Sequence, residues 1–115
     1  LLYSEGVNKG RISQNKFVEV TSTNAAKIFG MHPRKGCISV GSDADLVIFD
    51  PNEEHTISVD NHHMNVDYSG YEGWEVKGKC KHIILRGKHV IDNGIVKIEK
   101  GYGQFIKRDK VSKVV

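Results

Sequence analysis

The sequence predicts an α+β fold in which N-terminal helices precede a small, mainly antiparallel β-sheet or half-sandwich. Three observations predict it. Apolar residues in the first thirty positions recur at helical spacing, whereas from Gly36 onward they fall in short β-branched and aromatic runs. The runs of the second half are separated by Gly-containing pairs that suit tight turns between antiparallel neighbours. The chain then divides into a helical segment over 1–35, β-sandwich strands over 36–100 with a long loop at about 60–74, and a tail over 101–115.

Each element has its own signal. Phe17, Val18 and Val20, followed by Ala25, Ala26, Ile28 and Phe29, fall on one buried stripe, and Ser13 and Asn24 stand where two helices would be capped. Gly30 occupies the place of a left-handed C-terminal cap, with "MHPRKG" leading out. Ile38 and Val40 alternate with Ser39, "VGSDAD" supplies turn residues, and "DLVIF" has the length of a buried strand, so Gly36–Asp50 reads as a hairpin. Beyond Pro51, "HTISV" reads as another short strand, and "DNHHMNVDYSGYEGWEV" as a long polar loop with aromatic anchors. "HIILRGKHVIDNGIV" contains two strands joined around Arg86 and Gly87, then a turn at Asp92, Asn93 and Gly94 before a last β segment, "IVKI". "GYGQFIKRDK" has too little apolar content for a core element and is expected to lie over a neighbouring surface or to fray.

Composition narrows the function classes. A chain of 115 residues supplies one domain at most, far short of the roughly 250 residues of a (β/α)8 barrel. Mean hydropathy is -0.40 and no apolar run approaches a bilayer span, so no membrane role is expected. The opening "LLYSEGVNKG" carries no secretory signal and reads as a cut inside a longer protein. Cys37 and Cys80 form no CxxC pair, which fits reduced thiols in the cytoplasm. The net charge of +3 is spread over candidate strands and the tail, without interleaved aromatics, so no nucleic-acid partner is expected.

The residues that carry chemistry elsewhere do not assemble here by spacing. Asp43 and Asp45 would share a face if extended, a possible acid pair, but such residues in a Gly-Ser turn serve backbone hydrogen bonding far more often. His62 and His63 are adjacent and would point to opposite faces of an extended chain, while His32, His55, His82 and His89 are single residues. No GxSxG, P-loop or HExxH motif occurs, and "GYGQF" lacks the strand and helix a phosphate loop needs. Tyr68, Tyr71 and Trp74 suit pinning the long loop to the core or to a partner better than forming a small-molecule wall. No catalytic, cofactor-binding or metal-ligating residue is assigned.

Several segments taken together carry a resemblance. "EGVNKGRISQNKFVEVTSTNAAKIFGMHPRKGCISVGSDADLVIFDP", "HHMNVDYSGYEGWEVKGK" and "GYGQFIKR" resemble, in order, the C-terminal part of the dihydropyrimidinases and D-hydantoinases of the amidohydrolase superfamily. "GSDADLVIFDP" is common to many amidohydrolases, whereas "HHMNVDYS" and "GYGQFIKR" are specific to the cyclic-amidase branch. Cys37 departs from the small polar residue usual at its place, and "CKHIIL" and "IDNGIVKIEK" also depart from the common pattern.

The resemblance implies a parent with a metal-bearing (β/α)8 barrel and a small β-sandwich, the first thirty residues of this chain packing on the barrel. It implies two divalent ions, zinc or similar, bridged by a carboxylated lysine and hydroxide, which would activate water to open a cyclic amide or imide. It places the ligands of those ions upstream of this chain, so the chain itself is expected to hold no cofactor. Its implied partners are the rest of the parent chain, other subunits of a homo-oligomer, and, for the parent, the small cyclic substrate. Two alternatives stand beside this reading: a non-enzymatic interaction protein similar to the collapsin response mediators, which share the architecture without the metal ligands, and a stand-alone β binding module.

Overall fold

The computed structural model describes residues 1–111. A π-helical turn over Tyr3–Asn8 opens the chain. The helix α1, Gln14–Val18, passes through a π-type turn, Glu19–Thr23, into α2, Asn24–Ile28. Four strands follow, β1 (Leu46–Thr56), β2 (Glu75–Leu85), β3 (Lys88–Asp92) and β4 (Ile95–Val96), in an antiparallel sheet of order β1-β2-β3-β4. The chain is α+β, as the change of period at residue 36 predicts.

The helical region departs from the expected pair of capped helices. Ser13 does cap α1, its Oγ accepting from Lys16 N. Asn24 caps nothing: its backbone is helical and the run from α1 continues through it. Thr21 Oγ1 donates to Phe17 O in the wide turn, the back-bonding by which hydroxyl side chains loosen a helix without breaking it. Gly30 takes the left-handed conformation, φ +65°, as the C-terminal cap requires. The expected stripe is only partly covered, with Ala26 5% exposed but Phe29 61%.

The expected hairpin at Gly36–Asp50 does not form. Gly36–Asp45 is a loop, and Ile38 and Val40 stand in solvent. Here hydrogen bonding outweighs β propensity. Ser42 Oγ donates to Pro33 O and lies 2.8 Å from Ser39 Oγ, while Asp43 N donates to Arg34 O, which folds the segment back on the helix exit. The partner of "LVIFD" is instead β2, thirty residues on, in the register Val47↔Ile83 and Asp50↔Lys79.

"HTISV" is not a separate strand either. β1 runs through Pro51 to Thr56, with a bulge in which Pro51–Glu53 oppose Gly78 between the pairs Asp50↔Lys79 and Glu54↔Lys77. A proline has no N–H for the ladder, and Asp50 Oδ1 accepts from Asn52 N to hold the detour. Glu53 closes it from the side, with its two oxygens 2.8 Å from Lys79 Nζ and 2.6 Å from Lys81 Nζ. These hydrogen bonds hold the Glu53 carboxyl down at about 2.

The turns fit the prediction. Arg86 and Gly87, and again Asn93 and Gly94, all have positive φ, the mirror-image turn whose twist suits a two-residue hairpin. The last segment pairs only over Ile95–Val96 rather than through all of "IVKI". The tail, described through Val111, lies over the surface beside it, as one of the two expectations had it. Arg86 lies over the Tyr102 ring at 4.3 Å, Tyr102 Oη donates to Leu85 O, and Asp109 N donates to Gly30 O. The remaining residues of the expected tail, 112–115, lie outside the described residues.

The helices meet the sheet at Gly78. The Tyr3 and Phe49 rings pack 4.6 Å apart between centroids, and Phe17 meets Tyr3 edge-on at 5.3 Å. A Cβ on Gly78 would lie 2.7 Å from Phe49 Cζ and 2.9 Å from Tyr3 Cδ1, at a φ of +111° that side chains rarely adopt. Ser4 Oγ accepts from Lys77 N, and Asn8 Nδ2 donates to Lys77 O, so the opening turn satisfies the edge of β2 where β3 has ended.

Two outcomes follow from this packing. Gly78→Ala is expected to cost about 2 kcal/mol, clearly more than Gly87→Ala, where a Cβ meets nothing within 4 Å. Equal melting temperatures for the two variants would contradict the packing role. Glu53 has a folded pKa of about 2 against an ordinary 4.5, so its stabilisation is present above 4.5 and disappears as pH falls from 4.5 to 2. Glu53→Gln should therefore melt below the parent at neutral pH and converge with it across that window, in melts recorded at a series of pH values.

Candidate functional site

The carboxylates singled out in the sequence do meet, but around cations. Asp43 Oδ2 lies 2.8 Å from Lys35 Nζ and 3.0 Å from Arg34 Nε, and Asp45 Oδ2 pairs with the same Lys35. Asp45 Oδ1 accepts from Arg86 N at 2.8 Å, which ties the loop to the β2–β3 turn. Lys35, then Arg34, hold the Asp43 carboxyl below the usual carboxylate range. Burial works against charge on Lys35, but its hydrogen bonds to Asp43 and Asp45 outweigh burial and raise its pKa. A carboxylate so held is a poor proton acceptor at neutral pH, and this group serves as a cross-link.

Four histidines remain apart. His62 Nδ1 accepts from Met64 N, and His63 Nε2 lies 3.1 Å from Gly94 O, joining the long loop to the β3–β4 turn. Burial lowers the pKa of His55 at the end of β1, and His32 sits at the helix exit. The aromatic residues of the loop do not anchor it to the core of this chain. Tyr71 and Trp74 pack edge-on at 5.8 Å, yet Tyr68, Tyr71 and Trp74 are 72%, 53% and 49% exposed. The Cys37 thiol lies 3.4 Å from both Ser39 Oγ and Ser42 Oγ, hydrogen bonds that lower its pKa, and its sulfur is also 3.2 Å from Pro33 O.

The remaining two histidines and a third residue come together where sequence spacing did not indicate it. His82 on β2 and His89 and Asp92 on β3 each offer a ligand atom, all within 4.8 Å of one another. His82 Nδ1 is 3.1 Å from Asp92 Oδ1, and the two imidazole rings lie 5.1 Å apart between centroids. In a regular strand His89 and Asp92, three apart, would point to opposite faces. The register jumps from Ile83↔Ile91 to Ile84↔His89, leaving Val90 unpaired as a bulge that turns His89 to the Asp92 side. No signal in the sequence marks that bulge.

Among the described residues this is the one group of three or more His, Cys, Asp or Glu side chains close enough to hold a metal ion. It does not fit the two-ion centre implied by the resemblance, whose ions share a bridging lysine. Lys97, the lysine beside it, is paired with Asp92.

An apolar groove lies between the helices and the sheet, with a volume of about 370 Å³ and Ala26, Phe29, Leu46, Val47, Ile84 and Leu85 on its walls. No helix among the described residues is long and apolar enough to cross a membrane.

Comparison with known proteins agrees with this architecture. The chain is 51% identical over 110 residues to D-hydantoinase of Geobacillus stearothermophilus, covering 96% of this chain and 23% of that protein. It is 43% identical over 115 residues to dihydropyrimidinase of Rattus norvegicus, covering 100% of this chain and 22% of that protein. The crystal structure of dihydropyrimidinase from Brevibacillus agri NCHU1002 superposes with a TM-score of 0.95 at 50% identity, over 98% of this chain and 24% of that one. The chain thus spans less than a quarter of the length of these relatives. The model of the amidohydrolase family matches residues 1–90, and with most of its length inside that match the chain belongs to the amidohydrolase family.

Proposed function

We propose that this chain is the C-terminal portion of a metal-dependent hydrolase that opens cyclic amides, dihydropyrimidines or hydantoins, and that it contributes scaffold and subunit contacts. The observation that carries the reading is the 51% identity to a D-hydantoinase across nearly the whole chain. That relationship, together with the dihydropyrimidinases of similar identity, favours an enzyme over an interaction protein. The groups that activate water belong to the rest of the parent, since Asp43 and Asp45 are engaged by Lys35, Arg34 and Arg86. Residues 1–35 are the part that packs on the barrel, 36–100 one layer of the sandwich, and 101–115 the tail. The free thiols of Cys37 and Cys80 fit a cytoplasmic protein.

Surface area supports a scaffold role. The chain exposes 8580 Å², against about 6300 Å² for a compact monomer of its mass. Its radius of gyration is 15.6 Å, where about 13.4 Å is usual for this length. Val47 and Ile48, neighbours that face opposite sides of β1, are 56% and 51% exposed, so apolar side chains stand in solvent on both sides of that strand. Ile28 and Phe29 extend the apolar surface onto the helix. An apolar surface of this extent calls for further protein against it.

The test compares two proteins. Full-length protein carrying these residues is expected to hydrolyse dihydrouracil or hydantoin, and residues 1–115 alone to have no such activity when ring opening is followed by ultraviolet absorbance. Turnover by the isolated residues, or none by the full-length protein loaded with zinc, would refute the assignment. The isolated residues should also self-associate or melt at low temperature, which sedimentation velocity and thermal melts will read. A monodisperse monomer with a high melting temperature would argue against the scaffold reading.

A further inference from the structure

We propose that His82, His89 and Asp92 form a binding site for one divalent transition-metal ion of the Zn²⁺ class. The site does not depend on the hydrolase reading. It rests on three donors of the right chemistry, two imidazoles and a carboxylate, brought to one face of the β2–β3 hairpin by the Val90 bulge.

The geometry is close to what such an ion needs. Ligands at about 2.0–2.1 Å in a tetrahedral arrangement stand about 3.3 Å from one another. His82 Nδ1 and Asp92 Oδ1 are already 3.1 Å apart, and one ligand atom from each of the three residues lies within 4.8 Å of the other two. His89 is exposed, so its ring can turn the remaining distance without disturbing packed neighbours. A fourth position stays open to water.

One further feature favours an ion over a plain ion pair, and a second sets how strongly the ion would bind. His82 Nδ1 is buried and makes no hydrogen bond, because its approach to Asp92 Oδ1 does not meet hydrogen-bonding geometry. A buried nitrogen without a partner is costly, and a cation placed between nitrogen and carboxylate would satisfy both. Asp92 is held on both oxygens, with Asn93 Nδ2 donating to Oδ1 at 3.1 Å and Lys97 Nζ paired with Oδ2. Such outer contacts orient a ligand, but the Lys97 ammonium also competes with the metal for the carboxylate and repels it. Its removal should therefore strengthen binding, whereas an ordinary structural role for Asp92 predicts no such gain.

Crystals of the full-length protein soaked in graded ZnCl₂, with anomalous difference maps at the zinc edge, will test the site. A peak bounded by His82, His89 and Asp92 is expected in the parent. In His89→Ala, a change at an exposed position, the concentration for half occupancy should rise at least about tenfold, and in Lys97→Met it should fall. His63→Ala, in the long loop, should leave the peak unchanged. No peak in the parent, or one of equal strength in His89→Ala, would overturn the proposal, as would tighter binding in the parent than in Lys97→Met. The peak is read at its own position, whatever the protein's activity on cyclic amides.

Discussion

The fold depends on a helix and a sheet approaching closely at a residue with no side chain. Tyr3 and Phe49 can lie together over β2 only because Gly78 leaves room beneath their rings. The same glycine faces the three-residue detour of β1 at Pro51–Glu53, so the bulge and the helix contact share one position. Once Tyr3 is seated, Ser4 and Asn8 reach the Lys77 backbone and close an edge of β2 that β3 leaves uncovered. A sheet edge satisfied by side chains of a helical turn is blocked against pairing with another chain. Burial of two rings and completion of the hydrogen-bond ladder are thus one event.

The other attachments are polar and lie at the opposite end of the sheet. Lys35 gathers Asp43 and Asp45, and Asp45 passes the contact to Arg86 at the tip of the β2–β3 turn. Arg86 in turn covers Tyr102, from which the tail returns to Gly30 at the end of α2. A Cβ on Gly30 would fall 2.2 Å from Asp109 O, so the left-handed cap of the helix is also the seat of the tail. This circuit holds loop, turn and tail without burying much apolar surface. What it leaves exposed, on both faces of β1 and along Ile28 and Phe29, is the surface that a larger protein would cover.

Signals tied to one residue's conformational limits were legible in the sequence. Gly30, Ser13 and the pairs Arg86-Gly87 and Asn93-Gly94 behave as their chemistry dictates, because a positive φ or a capping oxygen is a local requirement. Signals that depend on a distant partner were not. Ile38 and Val40 alternate as strand residues do, but no strand lies beside them, and the hydroxyls of Ser39 and Ser42 hold the segment as a loop. Asn24 has capping chemistry in the middle of a helix that continues, since packing of Ala26 against Gly36 favours continuation. Pro51 reads as a stop, yet β2 supplies enough partners on either side of it for β1 to resume.

The histidine cluster shows the same limit in its sharpest form. Period-two alternation assigns His89 and Asp92 to opposite faces, and it is correct for any regular strand. One extra residue in one strand reverses the assignment for everything beyond it, and Val90, 6% exposed, is the residue that takes up the difference. Its burial explains why the bulge sits there: β-branched and apolar, it gains more from the core than the ladder loses from one missing pair. The burial of Val90 therefore decides which polar side chains face one another on the outside. Packing inside the sheet and chemistry on its surface are set by a single choice of register, and a reading of side-chain types alone reaches neither.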